Sequence, residues 1–201
     1  MKDSAMQKRG IIAIAGIAAA AICITAGIIL GQLLKPASEL KSVPIGGAFE
    51  LVDQDGREVT DKTFSGRPSA IFFGYTSCPD VCPTTLMDLS NWLNALGPVA
   101  DKLNVLFISI DPERDTPAQL REFLSSFDPR IRGLTGTNEQ VAAVAKEYRV
   151  YYKRIEEKDG YTMDHTGAIY LTDRAGNFVA PLSFQTEDSV AIERLRSLAA
   201  S

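Results

Sequence analysis

The sequence predicts an α/β sandwich preceded by a single transmembrane helix. Two continuous apolar runs, Ser69–Gly74 and Asn104–Ile110, are typical of strands buried in a sheet, and a helical pattern follows each of them. Two later strand-like segments, Gly167–Leu171 and Phe178–Ala180, flank a turn and indicate a closing antiparallel pair. An uncharged run at residues 11–34 is long enough to cross a bilayer.

This uncharged run divides the chain into unequal parts. Lys8 and Arg9 stand directly before it, so the positive-inside rule predicts a cytoplasmic N-terminus and an exported remainder. A cleaved signal peptide is the alternative, but no convincing small-residue cleavage site follows Leu34. The length of 201 residues, 45% of them hydrophobic, suits one globular domain and an appendage. The predicted cytoplasmic segment, transmembrane anchor, linker and globular domain occupy residues 1–10, 11–34, 35–44 and 45–201.

The exported part is acidic. Of the 25 acidic and 21 basic residues in the chain, one acidic and three basic residues precede the anchor, which leaves 24 against 18. A nucleic-acid partner is therefore not expected. Of the three cysteines, Cys23 lies within the anchor and is interpreted as a membrane-buried apolar residue. The remaining pair, Cys78 and Cys82, is the candidate for chemistry.

Turn and capping signals predict the further elements. Asp55-Gly56 predicts a hairpin between two short strands. Thr116 with Gln119, and Thr137 with Gln140, form capping boxes that begin helices. The remaining predicted strands are Phe49–Val52, Arg57–Val59 and Val150–Ile155. The predicted helices begin at Pro83, at Pro117, just after Thr137 and at about Glu187.

The stretch Gly74–Thr85 is a strand-to-helix turn that carries both thiols of the exported part. Backbone N–H groups and the helix dipole at such a turn stabilise anions, which lowers thiol pKa values and favours thiolates. Pro83 would break a helix begun earlier, so the helix is expected to start there, with Cys82 near its N-cap. The sulfurs of Cys78 and Cys82 could then bind a soft metal or form a disulfide.

A structural disulfide is the plain alternative for this pair, since the predicted compartment is oxidising. An α-carbon separation of roughly 5–6 Å, compatible with a disulfide, is expected across the turn. Such a bridge would close only a few residues, however, and would therefore stabilise the fold little. The position of the pair at a helix N-terminus favours a chemical role instead.

His165 is the only histidine, and it stands just before a predicted strand. A lone histidine is most often structural or exposed. A thiol pair at the first strand-to-helix turn is, however, where a thioredoxin-like fold carries its chemistry, and in that fold the loop before this strand lies beside the turn. Two thiolates and an imidazole form a three-ligand site that suits copper, as Cu(I) or Cu(II), whereas structural zinc usually takes four protein ligands. Asp164 either orients the imidazole or is a solvated carboxylate.

Three motifs resemble the Sco/SenC family: Tyr75–Pro83, Ser109–Pro117 and Asp164–Thr166. The resemblance covers roughly Ile45–Ala199 together with the N-terminal anchor. The cysteine motif with a downstream histidine is specific, and the aspartate–proline motif reinforces it. The resemblance implies a thioredoxin-like fold on the periplasmic face of a bacterial inner membrane, held there by a single transmembrane helix.

The resemblance also implies a ligand set and a role. One copper ion is expected to bind Cys78, Cys82 and His165, and the protein is expected to assist assembly of the CuA centre of cytochrome c oxidase. The implied partners are the oxidase subunit that carries CuA, and another copper carrier or a thiol reductant. Asp111 and Asp115 match the family's acidic loop. These two residues either cap a helix in a solvated turn, or serve docking or the orientation of the ligands.

Two functions use the same thiols. A copper chaperone transfers metal without catalytic turnover, whereas a thiol–disulfide reductase would keep the copper-binding cysteines of the oxidase reduced. Only the chaperone needs His165, so this residue favours copper. A peroxidase of the peroxiredoxin type is the third alternative, but the Pro-x-x-x-Thr-x-x-Cys pattern fits neither Cys78 nor Cys82.

Overall fold

The computed structural model describes residues 44–183 and 185–201. Several parts of the predicted organisation lie outside the described residues: the cytoplasmic segment, the anchor with Cys23, and all of the linker except Pro44. Among the described helices, none combines the length and the apolar character needed to cross a bilayer. Residues Pro44–Ser201 form one compact unit.

Nine strands and four helices are present in the described unit. The strands are β1 (Glu50–Asp53), β2 (Glu58–Thr60), β3 (Ser69–Gly74), β4 (Asn104–Ser109), β5 (Ile131–Thr135), β6 (Tyr152–Glu157), β7 (Gly160–His165), β8 (Ala168–Thr172) and β9 (Phe178–Ser183). The helices are α1 (Val81–Leu96), α2 (Pro117–Leu124), α3 (Asn138–Glu147) and α4 (Asp188–Ala200). Two short 3-10 helices cover Asp61–Phe64 and Gly97–Lys102.

Seven of the strands form one mixed sheet, in the order β2-β1-β5-β4-β3-β8-β9. The central strands β3, β4 and β5 run parallel, whereas the outer strands are antiparallel to their neighbours. Every residue of β3 is buried, as expected for a strand with a continuous apolar sequence. Helix α2 packs on β5, α3 contacts β1, and α1 lies against α4. The predicted mixed α/β architecture is therefore confirmed.

The register of the central strands sets the position of the loops that follow them. Gly74 at the end of β3 pairs with Ser109 at the end of β4. Strand β8 runs antiparallel to β3, so it begins at this same edge of the sheet. The segment that leads to β8 therefore lies beside two other segments, which follow the ends of β3 and β4. These are the thiol turn (residues 75–82) and the acidic loop (residues 111–115).

Helix α1 begins two residues earlier than predicted, at Val81, with Asp80 as its N-cap residue. The prediction that Pro83 starts the helix is therefore wrong. Pro83 occupies the third helical position, where a backbone N–H has no intrahelical partner, so proline costs no hydrogen bond there. The first helical bond runs from the Thr84 N–H to the Asp80 carbonyl oxygen, at 3.2 Å. Cys82 consequently lies in the first helical turn, near the N-cap as predicted.

Two strands escape prediction from the sequence. Strand β5 interrupts its apolar residues with Arg132 and Gly133, and β7 carries a single buried side chain, that of Met163. Strand β7 pairs with β6 in a two-stranded sheet of their own, in which His165 stands opposite Tyr152. His165 is therefore the last residue of a strand, rather than part of a loop as expected.

The predicted hairpin turn and the capping box of Thr137 with Gln140 are confirmed, whereas only the Thr116 half of the box predicted for Thr116 and Gln119 is present. At α3, Thr137 Oγ1 accepts a hydrogen bond from the Gln140 N–H at 3.3 Å, and Gln140 Oε1 accepts one from the Thr137 N–H at 2.9 Å. At α2, Thr116 Oγ1 accepts from the Gln119 N–H at 3.3 Å. The predicted hairpin joins β1 to β2 in antiparallel register. These contacts fix the beginning of both helices through residues that are close together in the chain.

Candidate metal centre

The thiol turn carries two free cysteines. Cys78 lies before the helix and is half-buried, whereas Cys82 lies in the first turn of α1 and is fully buried. The backbone N–H of Cys82 donates to the Cys78 sulfur at 3.4 Å. The helix N-terminus therefore supplies an N–H group that stabilises a thiolate, as the sequence predicts.

His165 completes a cluster of three metal-ligating side chains. Its Nε2 atom lies 3.5 Å from the Cys82 sulfur. The sulfurs of Cys78 and Cys82 and the histidine nitrogen all lie within 4.8 Å of one another. The structure thus brings together the three residues that the sequence predicts as ligands.

A backbone contact orients the imidazole. The Nδ1 atom of His165 lies 3.1 Å from the carbonyl oxygen of Thr166. A proton on Nδ1 would donate to this carbonyl and leave the Nε2 lone pair available to a metal. Asp164 is exposed, so the interpretation of its side chain as a solvated carboxylate fits the structure. The His165 ring also packs edge-on against the ring of Tyr75, with 5.8 Å between their centroids.

Gly74 leaves room for the buried sulfur. A Cβ atom at position 74 would lie 2.8 Å from the Cys82 sulfur and 2.7 Å from Cε2 of Phe107. Both distances are well below a normal contact between heavy atoms, so this position requires glycine. The sequence alone does not indicate this role of Gly74, because the requirement arises only when the strand, the helix and the ring of Phe107 pack together.

The donor atoms suit a soft metal ion. Thiolates and imidazole are ligands for copper and for zinc. Ligand atoms at about 2.0–2.3 Å from a common ion lie roughly 3.5–4 Å from one another. The 3.5 Å between the Cys82 sulfur and the His165 nitrogen matches this spacing. Three protein ligands also leave a position for a ligand from a second molecule.

Similarity to a protein family identifies this chain. The model of the SCO1/SenC family matches residues 37–200. The chain belongs to the SCO1/SenC family. The resemblance predicted from the cysteine, aspartate–proline and histidine motifs is therefore confirmed.

Sco proteins of known sequence or structure are similar to most of the described domain. Protein SCO1, mitochondrial, from Saccharomyces cerevisiae is 41% identical over 155 residues, which make up 75% of this chain and 52% of that protein. The chain spans about half the length of the curated mitochondrial relatives it matches.

Two solved structures extend the similarity to three dimensions. Bradyrhizobium japonicum ScoI, solved with copper bound, is 54% identical with a TM-score of 0.73, over 77% of this chain and 99% of that chain. Yeast Sco1, also solved with copper bound, is 40% identical with a TM-score of 0.72, over 79% of this chain and 90% of that chain. The described domain therefore has the mixed α/β, thioredoxin-like fold of Sco proteins.

The two thiols of this Sco site differ in pKa. A hydrogen bond from the Cys82 thiol lowers the pKa of Cys78 to about 3, with a smaller contribution from His165 and against the effect of burial. The same hydrogen bond, together with burial, raises the pKa of Cys82 above its ordinary value. The metal-free site therefore holds a Cys78 thiolate beside a protonated Cys82.

The two aspartates of the acidic loop are buried rather than solvated, whereas Glu113 between them is exposed. Asp111 is 4% exposed, and Asp115 is fully buried. Asp115 accepts hydrogen bonds from Thr76 in the thiol turn, and Thr116 rather than Asp115 caps α2. The alternative that placed both residues in a solvated capping turn is therefore wrong. Their contacts instead reach the elements that carry the candidate metal ligands.

Alkylation of the reduced, metal-free protein should modify Cys78 before Cys82. Cys78 is half-buried and its pKa is about 3, so it remains a thiolate as the solution is acidified from neutral pH. Its rate should therefore change little between about pH 8 and pH 5, whereas an ordinary thiol loses about tenfold in thiolate for each unit below its pKa. Timed pulses of iodoacetamide followed by peptide mass spectrometry measure both rates.

Unfolding in guanidinium provides the control for this experiment. Both thiols should then react at similar rates and follow the ordinary pH profile, because the hydrogen bond between them is lost. Faster labelling of Cys82 in the folded protein would contradict this description of the site. So would a Cys78 rate that falls about tenfold per unit below about pH 8.

Proposed function

We propose that this chain is a copper chaperone that assists assembly of the CuA centre of cytochrome c oxidase. One observation carries the proposal: the Nε2 atom of His165 lies 3.5 Å from the Cys82 sulfur, in a cluster that also contains Cys78. Thiol–disulfide exchange needs no imidazole, whereas a three-ligand copper site does. The choice of metal is supported by B. japonicum ScoI and yeast Sco1, which were solved with copper bound.

The ligand set suits both oxidation states of copper. Cys78 and Cys82 supply two thiolates, which satisfy the soft Cu(I) ion, and His165 adds a nitrogen that Cu(II) prefers. Loading requires the Cys82 thiol to lose its proton, because the thiolate is the metal ligand. The ion therefore takes the place of the proton on the Cys82 sulfur.

The difference in burial between the two cysteines gives the transfer a direction. Cys78 is half-buried and Cys82 is fully buried. A ligand from the receiving protein reaches the Cys78 side first, so Cys82 is expected to release the ion last. With three protein ligands, the site keeps a position for the incoming ligand. Copper can then pass by ligand exchange without being released into solution.

A thiol–disulfide reductase is the second candidate function, and the low pKa of Cys78 favours it. The Cys78 thiolate would attack a target disulfide and form a mixed disulfide, releasing one target thiolate. Cys82 would give up its proton, displace the second target sulfur and close a Cys78–Cys82 disulfide. Two electrons thus pass to the target, and a separate thiol reductant must reopen the disulfide. The two functions can coexist, because a disulfide offers copper no thiolate.

The proposed location is the periplasmic face of a bacterial inner membrane, with a single-pass anchor at residues 11–34. The uncharged run behind Lys8 and Arg9 supports this location. The proposed partner is the oxidase subunit that carries CuA. Another copper carrier or a thiol reductant would serve loading, and the acidic balance of the exported part argues against nucleic acid.

The reduced chain should bind one copper ion. Oxidation to a Cys78–Cys82 disulfide should abolish binding, because it removes both thiolates. His165→Ala should weaken Cu(II) binding by at least about tenfold and affect Cu(I) much less, because two thiolates satisfy Cu(I). Metal analysis of the reduced and oxidised protein, followed by competition titrations with each oxidation state, measures these effects.

Asp164→Ala is the matched control for these titrations. It changes the exposed neighbour of His165 and should leave binding of both oxidation states intact. A stoichiometry well below one in fully reduced protein would contradict the site. Equal Cu(II) binding by His165→Ala and the wild type would also contradict it.

Complementation in cells separates the chaperone from the reductase. In cells that lack the native gene, Cys78→Ser, Cys82→Ser and His165→Ala should each lose oxidase assembly at limiting copper, and excess copper should rescue them partly. Oxidase activity and CuA content are the measurements, with immunoblots to confirm export and abundance. If His165→Ala supports full assembly at limiting copper while both cysteine variants fail, the reductase is the correct function.

A reporter fusion tests the proposed location. Alkaline phosphatase fused after Ser201 should be active, because the positive-inside rule places the C-terminus outside the cytoplasm. Removal of the uncharged run at residues 11–34 should abolish this activity. An inactive but stable fusion, or release of the domain by osmotic shock alone, would contradict a membrane-anchored periplasmic domain.

A further inference from the structure

One loop contacts both halves of the proposed copper site. The acidic loop follows β4, whose last residue, Ser109, pairs with Gly74 at the end of β3. The loop therefore begins beside the thiol turn. Its side chains reach in two directions: toward the turn that carries Cys78, and toward the β6–β7 hairpin that carries His165.

The side chain of Asp115 forms hydrogen bonds with the thiol turn. Its carboxylate accepts hydrogen bonds from the backbone N–H of Thr76 at 3.1 Å, from the Thr76 hydroxyl at 2.6 Å and from the Ser109 hydroxyl at 2.6 Å. Thr76 lies two residues before Cys78. Asp115 is fully buried, so the loss of any of these bonds would leave a buried charge less satisfied. The carboxylate therefore fixes the course of the chain just before the first thiol.

Arg114 contacts the β6–β7 hairpin, which carries His165. Its Nη1 atom donates to the backbone carbonyl oxygen of Tyr161 at 2.9 Å, and its guanidinium carbon lies 3.8 Å from the centre of the Tyr161 ring. Asp111 pairs with Nε of Arg114 and accepts a hydrogen bond from the Tyr161 hydroxyl at 2.8 Å. Tyr161 lies in β7, four residues before His165. Two residues of the loop thus bind Tyr161 at its backbone, its ring and its hydroxyl.

The hairpin depends on such side-chain contacts for its orientation. Within the described part of the chain, β6 and β7 pair only with each other and do not join the seven-stranded sheet. Most side chains of β6 are exposed, and an isolated two-stranded hairpin is at best marginally stable in water. The hydroxyls of Tyr75 and Thr162 also form a hydrogen bond of 2.8 Å, which connects the thiol turn to the hairpin. Met163 of the hairpin also lies in the hydrophobic core, and Arg114 adds two contacts, the hydrogen bond to the Tyr161 carbonyl oxygen and the stacking on the Tyr161 ring.

We infer that Arg114, held in place by Asp111, is a positioning residue that keeps His165 at ligand distance from the two cysteines. The inference rests on the proposed copper site and adds a residue that controls one of its ligands. Loss of this arginine should weaken Cu(II) binding and spare Cu(I), because two thiolates satisfy Cu(I) without the imidazole. Asp115 positions the thiols by a separate set of hydrogen bonds.

Hydrogen exchange in the reduced, metal-free, full-length chain tests the positioning without copper. Arg114→Ala should speed exchange of the amides at residues 152–165 and leave α1 and the main sheet as protected as in the wild type. Arg130→Ala is the matched control. The Arg130 side chain is 27% exposed and pairs with Asp128 at 3%, whereas Arg114 is 30% exposed and pairs with Asp111 at 4%. Arg130 precedes β5 at the opposite edge of the sheet, so its loss should not change exchange in the hairpin.

A double-mutant cycle with His165→Ala tests whether Arg114 acts through the histidine. In the wild-type background, Arg114→Ala should weaken Cu(II) binding by about 10- to 100-fold. The Cu(II) absorption and EPR spectra should shift toward those of His165→Ala. In the His165→Ala background, the same substitution should change Cu(II) affinity by less than about twofold. Cu(I) affinity should stay within about twofold of the wild type, and Arg130→Ala should leave both affinities unchanged.

Tyr161→Phe keeps the test decisive should Arg114→Ala fail to fold. It retains the ring and the backbone carbonyl that contact Arg114, and it removes only the hydroxyl that donates to Asp111. A smaller change in the same direction is expected in hairpin exchange and in Cu(II) affinity. Unchanged hairpin exchange in the folded variants would overturn the positioning role. A loss of Cu(II) affinity that persists in the His165→Ala background would overturn it as well.

The positioning role and the proposed function fail in different ways. If the wild-type chain binds no copper, the proposed function fails, and the exchange experiment still shows whether Arg114 holds the hairpin. If the wild type binds copper and folded Arg114→Ala binds Cu(II) equally well, the copper function stands and the positioning role fails.

Discussion

The metal centre depends on the parallel pairing of β3 with β4. This pairing sets Gly74 opposite Ser109, so the thiol turn and the acidic loop leave the sheet side by side. The antiparallel strand β8 begins at the same edge, which brings the segment that carries His165 to the two cysteines. Side-chain contacts such as the one between Asp115 and Thr76 can form only because the backbone has already brought these loops together.

The features that the sequence predicts are those with local causes. Continuous apolar strands, capping boxes and a thiol pair before a helix each depend on residues that are close in the chain. Cys78, Cys82 and His165 can be named as a ligand set because of their chemistry, and the structure places their donor atoms within 4.8 Å. The start of α1 is the local feature that was wrongly predicted. Proline is tolerated anywhere in the first helical turn, so Pro83 marks the turn and not its first residue.

The features that escape prediction have tertiary causes. Strand β7 has a single buried side chain and only a short alternation of Tyr161 and Met163 with Thr162 and Asp164, so its pairing with β6 defines it. Arg114 and Tyr161 are 47 residues apart, and nothing near either residue in the sequence indicates that they stack. Gly74 is required only because the sulfur of Cys82 occupies the neighbouring space. Each of these residues gains its role from a partner that is distant in the chain.

The histidine lies in a small sheet that is separate from the sheet that supports the thiols. Replacement of His165 alone would remove the nitrogen ligand and leave the seven-stranded sheet and both sulfurs in place. The same pair of sulfurs thus suits dithiol redox chemistry without the imidazole and a three-ligand metal site with it. The imidazole is thus carried by a hairpin in which Met163 is the one β7 residue that also belongs to the hydrophobic core.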